Sequence, residues 1–200
     1  MMSHLMKFTH LFVVLNMGCL LLSCNTDPSN QQAIKAFYNI DSLINAEVDF
    51  LSKNDASLVK GEGNNIEDNT ARKLDLKEWK QELEIFKSMD INQPGLVDAY
   101  KKGIYDDKLS NLDILRYSAL DENLHVQEVN FYYLTSIQNL KKITAQINNK
   151  NTIYQSSKTL SLTFDKTKGL SVLKEYSIVG SQKLVTRDSL KISIIGRILQ

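Results

Sequence analysis

The sequence predicts an α+β fold in which two or three N-terminal helices pack on one face of a curved antiparallel β-meander of about six strands. Three observations predict it. In two segments before residue 101, apolar residues recur every three or four positions, which is the spacing of an amphipathic helix. Beyond Lys101 the apolar period falls to two, which is typical of strands with one buried and one wetter face. The connections between these later segments are short, which favours hairpins over helical crossovers.

Two amphipathic helices account for the first half. The first is predicted over residues 42–53, with Asp41 as the N-cap residue. The second begins after Asp75, where Glu78 three residues later completes the pattern of a capping box. We expect it to run to about Ser88. Its apolar stripe consists of Leu76, Trp79, Leu83, Phe86 and Met89.

Two further elements lie on either side of the second helix. Residues 57–74 hold Gly61, Gly63 and the pair Asn64-Asn65 between two modestly apolar stretches, which indicates a polar hairpin. After the helix, Pro94 is a residue that the first position of a helix tolerates, so a third, short helical turn is expected there.

The strands of the second half are defined by alternating apolar residues that share one face. These residues are Val129, Phe131 and Tyr133, then Ile143, Ala145 and Ile147, then Leu160, Leu162 and Phe164, then Leu170, Val172, Tyr176 and Ile178, and finally Leu190, Ile192, Ile194 and Ile198. The turn candidates between them are Ser136 and residues 148–151, 165–169 and 187–188.

The composition bounds the class of protein. A chain of 200 residues with 42% hydrophobic and 24% charged residues can form a real core, and we expect one domain over residues 34–200. Residues 1–23 carry one base, Lys7, and no acid, so 24 − 1 = 23 bases balance 23 acids in the remainder. This neutrality argues against a protein that coats nucleic acid or an anionic membrane, since both need clustered positive charge.

Residues 1–23 differ from the rest of the chain. A weakly basic start leads into an apolar run from Phe8 to Leu22. Such a run of fifteen residues spans only about 22 Å as a helix, short of the roughly 30 Å hydrocarbon core of a bilayer. The segment is therefore predicted to be a cleaved signal peptide rather than a membrane-spanning helix.

The end of that segment, Leu21-Leu22-Ser23-Cys24, resembles the lipobox of bacterial lipoprotein precursors. The resemblance implies cleavage after the small Ser23 and acylation of Cys24, which becomes the lipidation site. Each buried methylene contributes about 0.8 kcal/mol, so several acyl chains anchor a protein firmly. The alternative is an ordinary signal peptide followed by a chance cysteine.

Residues 24–33 are polar, contain a proline and predict a flexible tether. With the segment around Trp79 and the sequence Asp90-Ile91-Asn92-Gln93-Pro94, the chain resembles small outer-membrane lipoproteins of Bacteroidota-type bacteria. The resemblance implies an anchor in the outer membrane, because Asn25 is not the acid that retains lipoproteins in the inner membrane. It favours the periplasmic face, because only Asp27 stands where surface export uses a run of acids. It supplies no activity or catalytic residue.

No catalytic residue, metal site or cofactor is predicted. His125 is the one histidine after residue 23, and we expect it on the surface, so transition-metal and histidine-based nucleophile sites lack ligands and bases. Ser171 and Lys174 match the spacing of a Ser-x-x-Lys motif, but a strand would point them to opposite faces. The acid pairs at 106–107 and 121–122 fall in predicted turns, where solvated carboxylates are usual.

Aromatic residues are frequent among the predicted strands. They have two interpretations. One is a platform for a sugar or an apolar ligand, and the other is ordinary strand packing, which we favour because strands are rich in aromatic residues. Since Tyr132 and Tyr133 are adjacent, they should face opposite sides of a strand. The set comprises Tyr117, Phe131, Tyr132, Tyr133, Tyr154 and Tyr176.

The sequence thus favours a membrane-anchored, non-catalytic module of the bacterial cell envelope that binds a protein or scaffolds an assembly. One alternative is a periplasmic carrier of a lipid or other apolar ligand, since a lipidated curved sheet with helices on one face is similar to carriers of acyl chains. A hydrolase using Asp and Glu, or Ser and Lys, is the third.

Overall fold

A computed structural model describes residues 37–63, 70–167, 169–184 and 187–200. The predicted signal peptide at 1–23, the predicted lipidation site Cys24 and the tether at 24–33 lie outside the described residues. Within them, no helix combines the length and the apolar character needed to cross a membrane.

Two α-helices form where apolar residues recur at helical spacing. Helix α1 spans Ile40–Lys53. The prediction that Asp41 caps it is wrong, because the side chain of Asn39 accepts the hydrogen bond from the Ser42 amide. Helix α2 spans Leu76–Leu83, and its predicted capping box is confirmed: Asp75 accepts from the Glu78 amide at 2.8 Å, and Glu78 accepts from the Asp75 amide at 2.9 Å.

The expected continuation of α2 as an α-helix to Ser88 is wrong. From Glu84 to Met89 the chain is a 3₁₀ helix. Side chains three residues apart eclipse one another in a 3₁₀ helix. Leu83, Phe86 and Met89 have this spacing and are all buried, so the tighter helix turns them to one side. The segment that follows Pro94 forms turns instead of the expected third helix.

The rest of the described chain is mostly β-strand, and the antiparallel sheet is confirmed. The strands are β1 (Ser57–Glu62), β2 (Arg72–Lys73), β3 (Tyr100–Asp107), β4 (Leu112–Ala119), β5 (Val126–Tyr133), β6 (Leu140–Lys150), β7 (Tyr154–Thr167), β8 (Leu170–Leu184) and β9 (Arg187–Leu199), with a 3₁₀ turn at Ile137–Asn139 between β5 and β6.

Chain order and spatial order agree along most of the sheet. Strands β3 to β9 lie side by side in sequence, each antiparallel to the next. On the outer side of β9 lies β1, with Ser57 opposite Leu199, and β2 forms the edge beyond it. The segment from α2 to the 3₁₀ helix therefore connects one edge of the sheet to the other.

The predicted fold class is wrong in its element count. The described residues form two α-helices and one nine-stranded antiparallel sheet, not two or three helices on a six-stranded meander. Seven strands, rather than six, follow residue 100. The residues of the predicted polar hairpin supply the other two, β1 and β2, and β1 joins the same sheet through β9.

The two faces of the sheet have different environments. Both helical segments pack on one face, which we call the covered face: Glu47 of α1 bonds to the Leu173 amide, and the Phe86 ring lies 5.3 Å from that of Tyr176. The opposite side is the open face. The core lies between the helices and the covered face. The sheet therefore offers two locations for a functional site, this interior and the open face.

Candidate functional site

The space between the helices and the covered face is filled by side chains in the described part of the chain. Trp79, Leu83, Phe86 and Met89 are all fully buried against the sheet. Tyr38, Phe131 and Tyr117 extend the packing towards β4, with ring centroids 4.9 Å apart for the first two and 6.1 Å apart for the last two. Close packing of this kind leaves little room for a guest molecule.

One tyrosine joins three elements across the covered face. The Tyr176 ring occupies the space in which a side chain at Gly196 would stand, so the neighbouring strand position must be glycine. Its hydroxyl donates a hydrogen bond to Glu82 of α2 at 2.5 Å. Glu82 also accepts a hydrogen bond from Lys60 of β1 at 2.7 Å. Burial, and then the Glu82 carboxylate, raise the pKa of Tyr176 well above its usual range, so the hydroxyl stays a donor.

Surface depressions occur at the periphery of this core. One of about 380 Å³ lies at the end of α1 and of the β7–β8 hairpin, another of about 320 Å³ at the start of α1, and a third of about 180 Å³ beside the chain end. The first is lined by Phe50, Asn54, Thr167, Leu170 and Gln200. It lies at the ends of these elements, outside the filled space between the helices and the covered face.

The open face carries a row of large side chains at one end. Tyr105 of β3 pairs with Ile114 of β4, and Ile114 pairs with Tyr132 of β5. Residues paired in this way project to the same face. Although neither of the described helices covers it, Ile114 is only 8% exposed, because the two tyrosines flank it. We call these three residues the tyrosine row.

A polar network lies beside the tyrosine row. Arg116 donates through Nε to Asn130 at 2.7 Å and lies 3.6 Å from Glu128. Asn130 donates to Glu128 at 2.7 Å. The guanidinium of Arg116 also lies 5.0 Å from the Tyr105 ring centroid, within the range of a cation–π interaction. The network holds Tyr105 against the sheet and presents a fixed polar surface next to the two tyrosines.

The rest of the open face is mostly polar and mixed in charge, with Val179 and Ile195 among its apolar residues. In the register of the sheet, Thr144, Ser161 and Ser177 continue the line of Arg116 and Asn130. Beyond them Glu175 and Arg197 form an ion pair at 3.5 Å. A surface of hydroxyls, tyrosines and paired charges, without an excess of either sign, is suited to another protein rather than to a polyanion.

A buried acid lies on the covered face. Glu47 of α1 is 6% exposed, and its Oε2 accepts from the Leu173 amide at 3.0 Å. The pairing of β7 with β8 is irregular at this point. Thr163 is opposite Glu175 and Phe164 is opposite Leu173, so Lys174 has no opposing residue in β7. Burial raises the pKa of Glu47 to about 7, although the bond from Leu173 opposes the shift. Glu47 therefore satisfies an amide at a bulge.

The residues that sequence analysis tested for catalysis do not converge. His125 is exposed, as expected, and its Nδ1 lies 2.8 Å from the side-chain oxygen of Asn149. Ser171 bonds to the backbone of Gln138, whereas Lys174 bonds to Asp165 at 3.1 Å. Within the described ranges no group of three or more His, Cys, Asp or Glu side chains is arranged to hold a metal ion.

The acid pairs have local roles. Asp107 accepts from the Leu109 amide and the Ser110 hydroxyl of the β3–β4 turn, and these bonds lower its pKa. Asp121 accepts from the amide and side chain of Asn123 in the next turn. The prediction that both pairs lie in turns is wrong for Asp106 and Asp107, which are the last two residues of β3.

The aromatic residues divide between two environments. Tyr117, Phe131 and Tyr176 belong to the core, as ordinary strand packing predicts. Tyr132 lies half-buried on the open face. Its neighbours Tyr105 and Ile114 were not identified from the sequence. The alternation Ile104-Tyr105 before Asp106-Asp107 was a signal for a strand at that point, but only the register of three strands brings the row together.

Comparison of the chain with protein-family models, with curated proteins and with solved structures finds no match. Its function is therefore argued from its own residues.

Replacing Glu47 by Gln tests the buried acid. In the unfolded chain this carboxyl ionises near its ordinary pKa of 4.5, and in the folded chain near 7. Between those values the folded state binds more protons, so stability falls as pH rises through this window and remains lower above it. A glutamine keeps an oxygen for Leu173 and carries no charge. Glu47→Gln should therefore raise the free energy of unfolding at pH 8 by up to about 3 kcal/mol and change it little at pH 4.

Chemical unfolding at pH 4, 6 and 8 measures this difference. Asp49→Asn, an exposed acid on the same helix, is the matched control and should show no comparable gain. An equal effect of Glu47→Gln at pH 4 and pH 8 would contradict the assignment.

Proposed function

We propose that this protein is a lipid-anchored, non-catalytic module of the bacterial cell envelope that binds another protein through the open face of its sheet. The observation that carries the proposal is the tyrosine row beside the Arg116, Asn130 and Glu128 network. Tyrosine and arginine are enriched at the centres of protein interfaces, because they combine a large contact area with directed polar groups. Here both are held by the sheet, so their side chains lose little freedom on binding.

The flat surface supports a protein partner over a small molecule. Small ligands bind in concave sites that enclose most of their surface. The tyrosine row instead lies on a sheet surface with Tyr105 47% exposed, and the hydroxyls of Thr144, Ser161 and Ser177 extend it. The balance of 23 bases and 23 acids after residue 23 disfavours a nucleic acid, which would need an excess of positive charge.

The proposed anchor is the acylated Cys24, held in the outer membrane on the periplasmic side. Phe37 is thirteen positions after Cys24, so the chain between them spans at most about 45 Å when fully extended. The Phe37 amide donates to Asn92 at 3.1 Å, and Asn92 donates to the Tyr38 carbonyl at 3.0 Å. These bonds give the tether a fixed point of attachment to the domain.

The alternatives have less support from the described residues. A carrier needs an apolar chamber, whereas the side chains of Trp79, Phe86 and Tyr176 occupy the region between helices and sheet. A hydrolase using Ser171 and Lys174 needs the two to meet, and each is bonded to a different partner. The described residues therefore support a binding module over a carrier or a hydrolase.

The anchor is tested by Cys24→Ala in the full-length precursor. Without the thiol, the chain has no acceptor for the lipid, so it should lose incorporation of labelled fatty acid and leave the membrane fraction. Cys19→Ala is the matched control, because Cys19 lies inside the apolar run and should not be acylated. Unchanged membrane fractionation of Cys24→Ala would refute the anchor.

The open face is tested by photo-cross-linking in the native bacterium. A photoreactive residue at Lys142, an exposed open-face position paired with Tyr132, should capture one envelope protein. Adding Tyr132→Ala should reduce that capture about tenfold or more, since loss of a central tyrosine commonly costs over 1.4 kcal/mol. The same residue at Lys80, exposed on α2, is the control and should not capture this protein.

Two results would count against the open face as the binding surface. One is equal capture of the same protein from Lys80 and Lys142. The other is capture at Lys142 that Tyr132→Ala leaves unchanged.

A further inference from the structure

Strand β3 forms one edge of the sheet, opposite the edge formed by β2. It is the last strand in the spatial order, and no described strand pairs with its outer side. It is eight residues long, and most of its side chains are exposed. A strand edge of this kind carries unpaired backbone groups that can pair with another strand, so proteins usually protect it.

The sequence of β3 has a charge pattern that complements itself. Lys101 and Lys102 stand near its start, and Asp106 and Asp107 at its end. In an antiparallel pair the start of one strand lies opposite the end of the other. Two copies of β3 would therefore bring the lysines of each copy opposite the aspartates of the other.

We propose that the chain forms a symmetric dimer in which β3 pairs antiparallel with β3 of a second copy, centred on Ile104. In this register Lys101 is opposite Asp107, Lys102 opposite Asp106, and Gly103 opposite Tyr105. Such an interface is isologous, with the same surface contributed by both copies. The two sheets become one continuous sheet across the twofold axis.

The register agrees with the faces that the side chains occupy. Residues directly opposed in an antiparallel pair share a face. Lys102 and Asp106 pair in β4 with Tyr117 and Asp113, and both project to the covered face. Lys101 and Asp107 project to the open face. Each charge pair therefore lies on one side of the joined sheet.

Other registers lose this complementarity. Sliding the copies by two residues in one direction brings Lys101 opposite Tyr105, and in the other direction brings Lys102 opposite Lys108. A parallel arrangement brings each lysine opposite the same lysine. The register centred on Ile104 alone among these gives every one of the four charged residues an opposite charge.

Two local features of β3 favour an added strand. Asp106 lies directly opposite Asp113 within the chain, and neither forms an ion pair in the described structure. Like charges in this position are destabilising, so Lys102 of a second copy would relieve the repulsion. Ile104 is 65% exposed, and at the twofold axis it would pack against its own copy.

The geometry also suits two copies anchored in one membrane, a point that rests on the proposed lipid anchor. A twofold axis normal to the sheet turns both covered faces to the same side. The Phe37 ring contacts Tyr100 and Tyr117 of that face, with centroids 5.9 and 5.1 Å apart, so both tethers would begin on one side. A single strand pair is a small interface, and confinement to a membrane would raise its effective concentration.

Disulfide trapping of the full-length chain in its own envelope tests the dimer. Ile104→Cys should form a covalent dimer under mild oxidation, because opposed residues of antiparallel strands have Cα atoms about 4.5–5.5 Å apart, which is within the roughly 4.4–6.8 Å range of disulfides. Ile153→Cys is the matched control, being 67% exposed but distant in the fold from β3. We expect at least tenfold more dimer from Ile104→Cys, and equal yields from the two variants would overturn the proposal.

Charge reversal tests the register and does not depend on the anchor. Combined with Ile104→Cys, either Lys102→Glu or Asp106→Lys makes two copies repel at both symmetry-related 102–106 pairs, and each should reduce the dimer about tenfold. Co-expression of the two variants with different tags should restore a mixed dimer to within about twofold, because every opposed pair is then attractive. Restoration also shows that both variants fold. Unchanged dimer in either single variant, or no restoration in the mixture, would overturn the proposed register.

Discussion

The docking of Tyr176 is the contact on which the arrangement of the protein depends. Its ring lies across Gly196 of the neighbouring strand, and its hydroxyl donates to Glu82 of α2. Glu82 also accepts a hydrogen bond from Lys60 of β1. The Glu82 carboxylate therefore connects α2 to both β8 and β1. A buried hydroxyl that lost this acceptor would cost about 1–3 kcal/mol. A side chain at position 196 would displace the ring and separate α2 from the sheet.

The functional surfaces follow from this closed side. Because the helical segment from Leu76 to Met89 covers one face and fills it with Trp79, Leu83 and Phe86, the surfaces that we propose for binding are the open face and the edge strand β3. On the open face, Arg116 fixes Tyr105 beside Ile114 and Tyr132. At the edge, β3 carries opposite charges at its two ends. Both surfaces are built on strands, whose positions are set by hydrogen bonding to the neighbouring strand, and this rigidity favours recognition over chemistry.

Local sequence signals predicted local structure well. The capping box at Asp75 and Glu78 and the period-two alternation from Val129 to Ile198 correspond to elements of the protein. The apolar stripe of α2 is correct for Trp79 and Leu83, whereas Leu76 is exposed. Hydrogen bonding within a few residues and the side-chain period determine such features, so one sequence contains enough information. The cap of α1 was misassigned by two residues because Asn39 and Asp41 offer the same kind of acceptor.

The features that escaped prediction depend on residues far apart in the chain. The pairing of Ser57 with Leu199 makes β1 part of the sheet, and no local pattern encodes it. The tyrosine row exists only in the register of three strands. From the sequence alone, Glu47 has no feature that sets it apart from a solvated acid on a helix. Its carboxylate bonds to the Leu173 amide at a bulge more than a hundred residues later in the chain. These errors account for the wrong strand count and for the missed part of the candidate site.

The central claim, that side chains fill the space between the helices and the covered face, is tested most directly by native mass spectrometry. The full chain should be extracted gently from its own envelope and compared before and after denaturation. The account predicts the same mass in both conditions, equal to the polypeptide with any covalent lipid on Cys24. A bound species of a few hundred daltons that disappears on denaturation would contradict it and would favour a carrier.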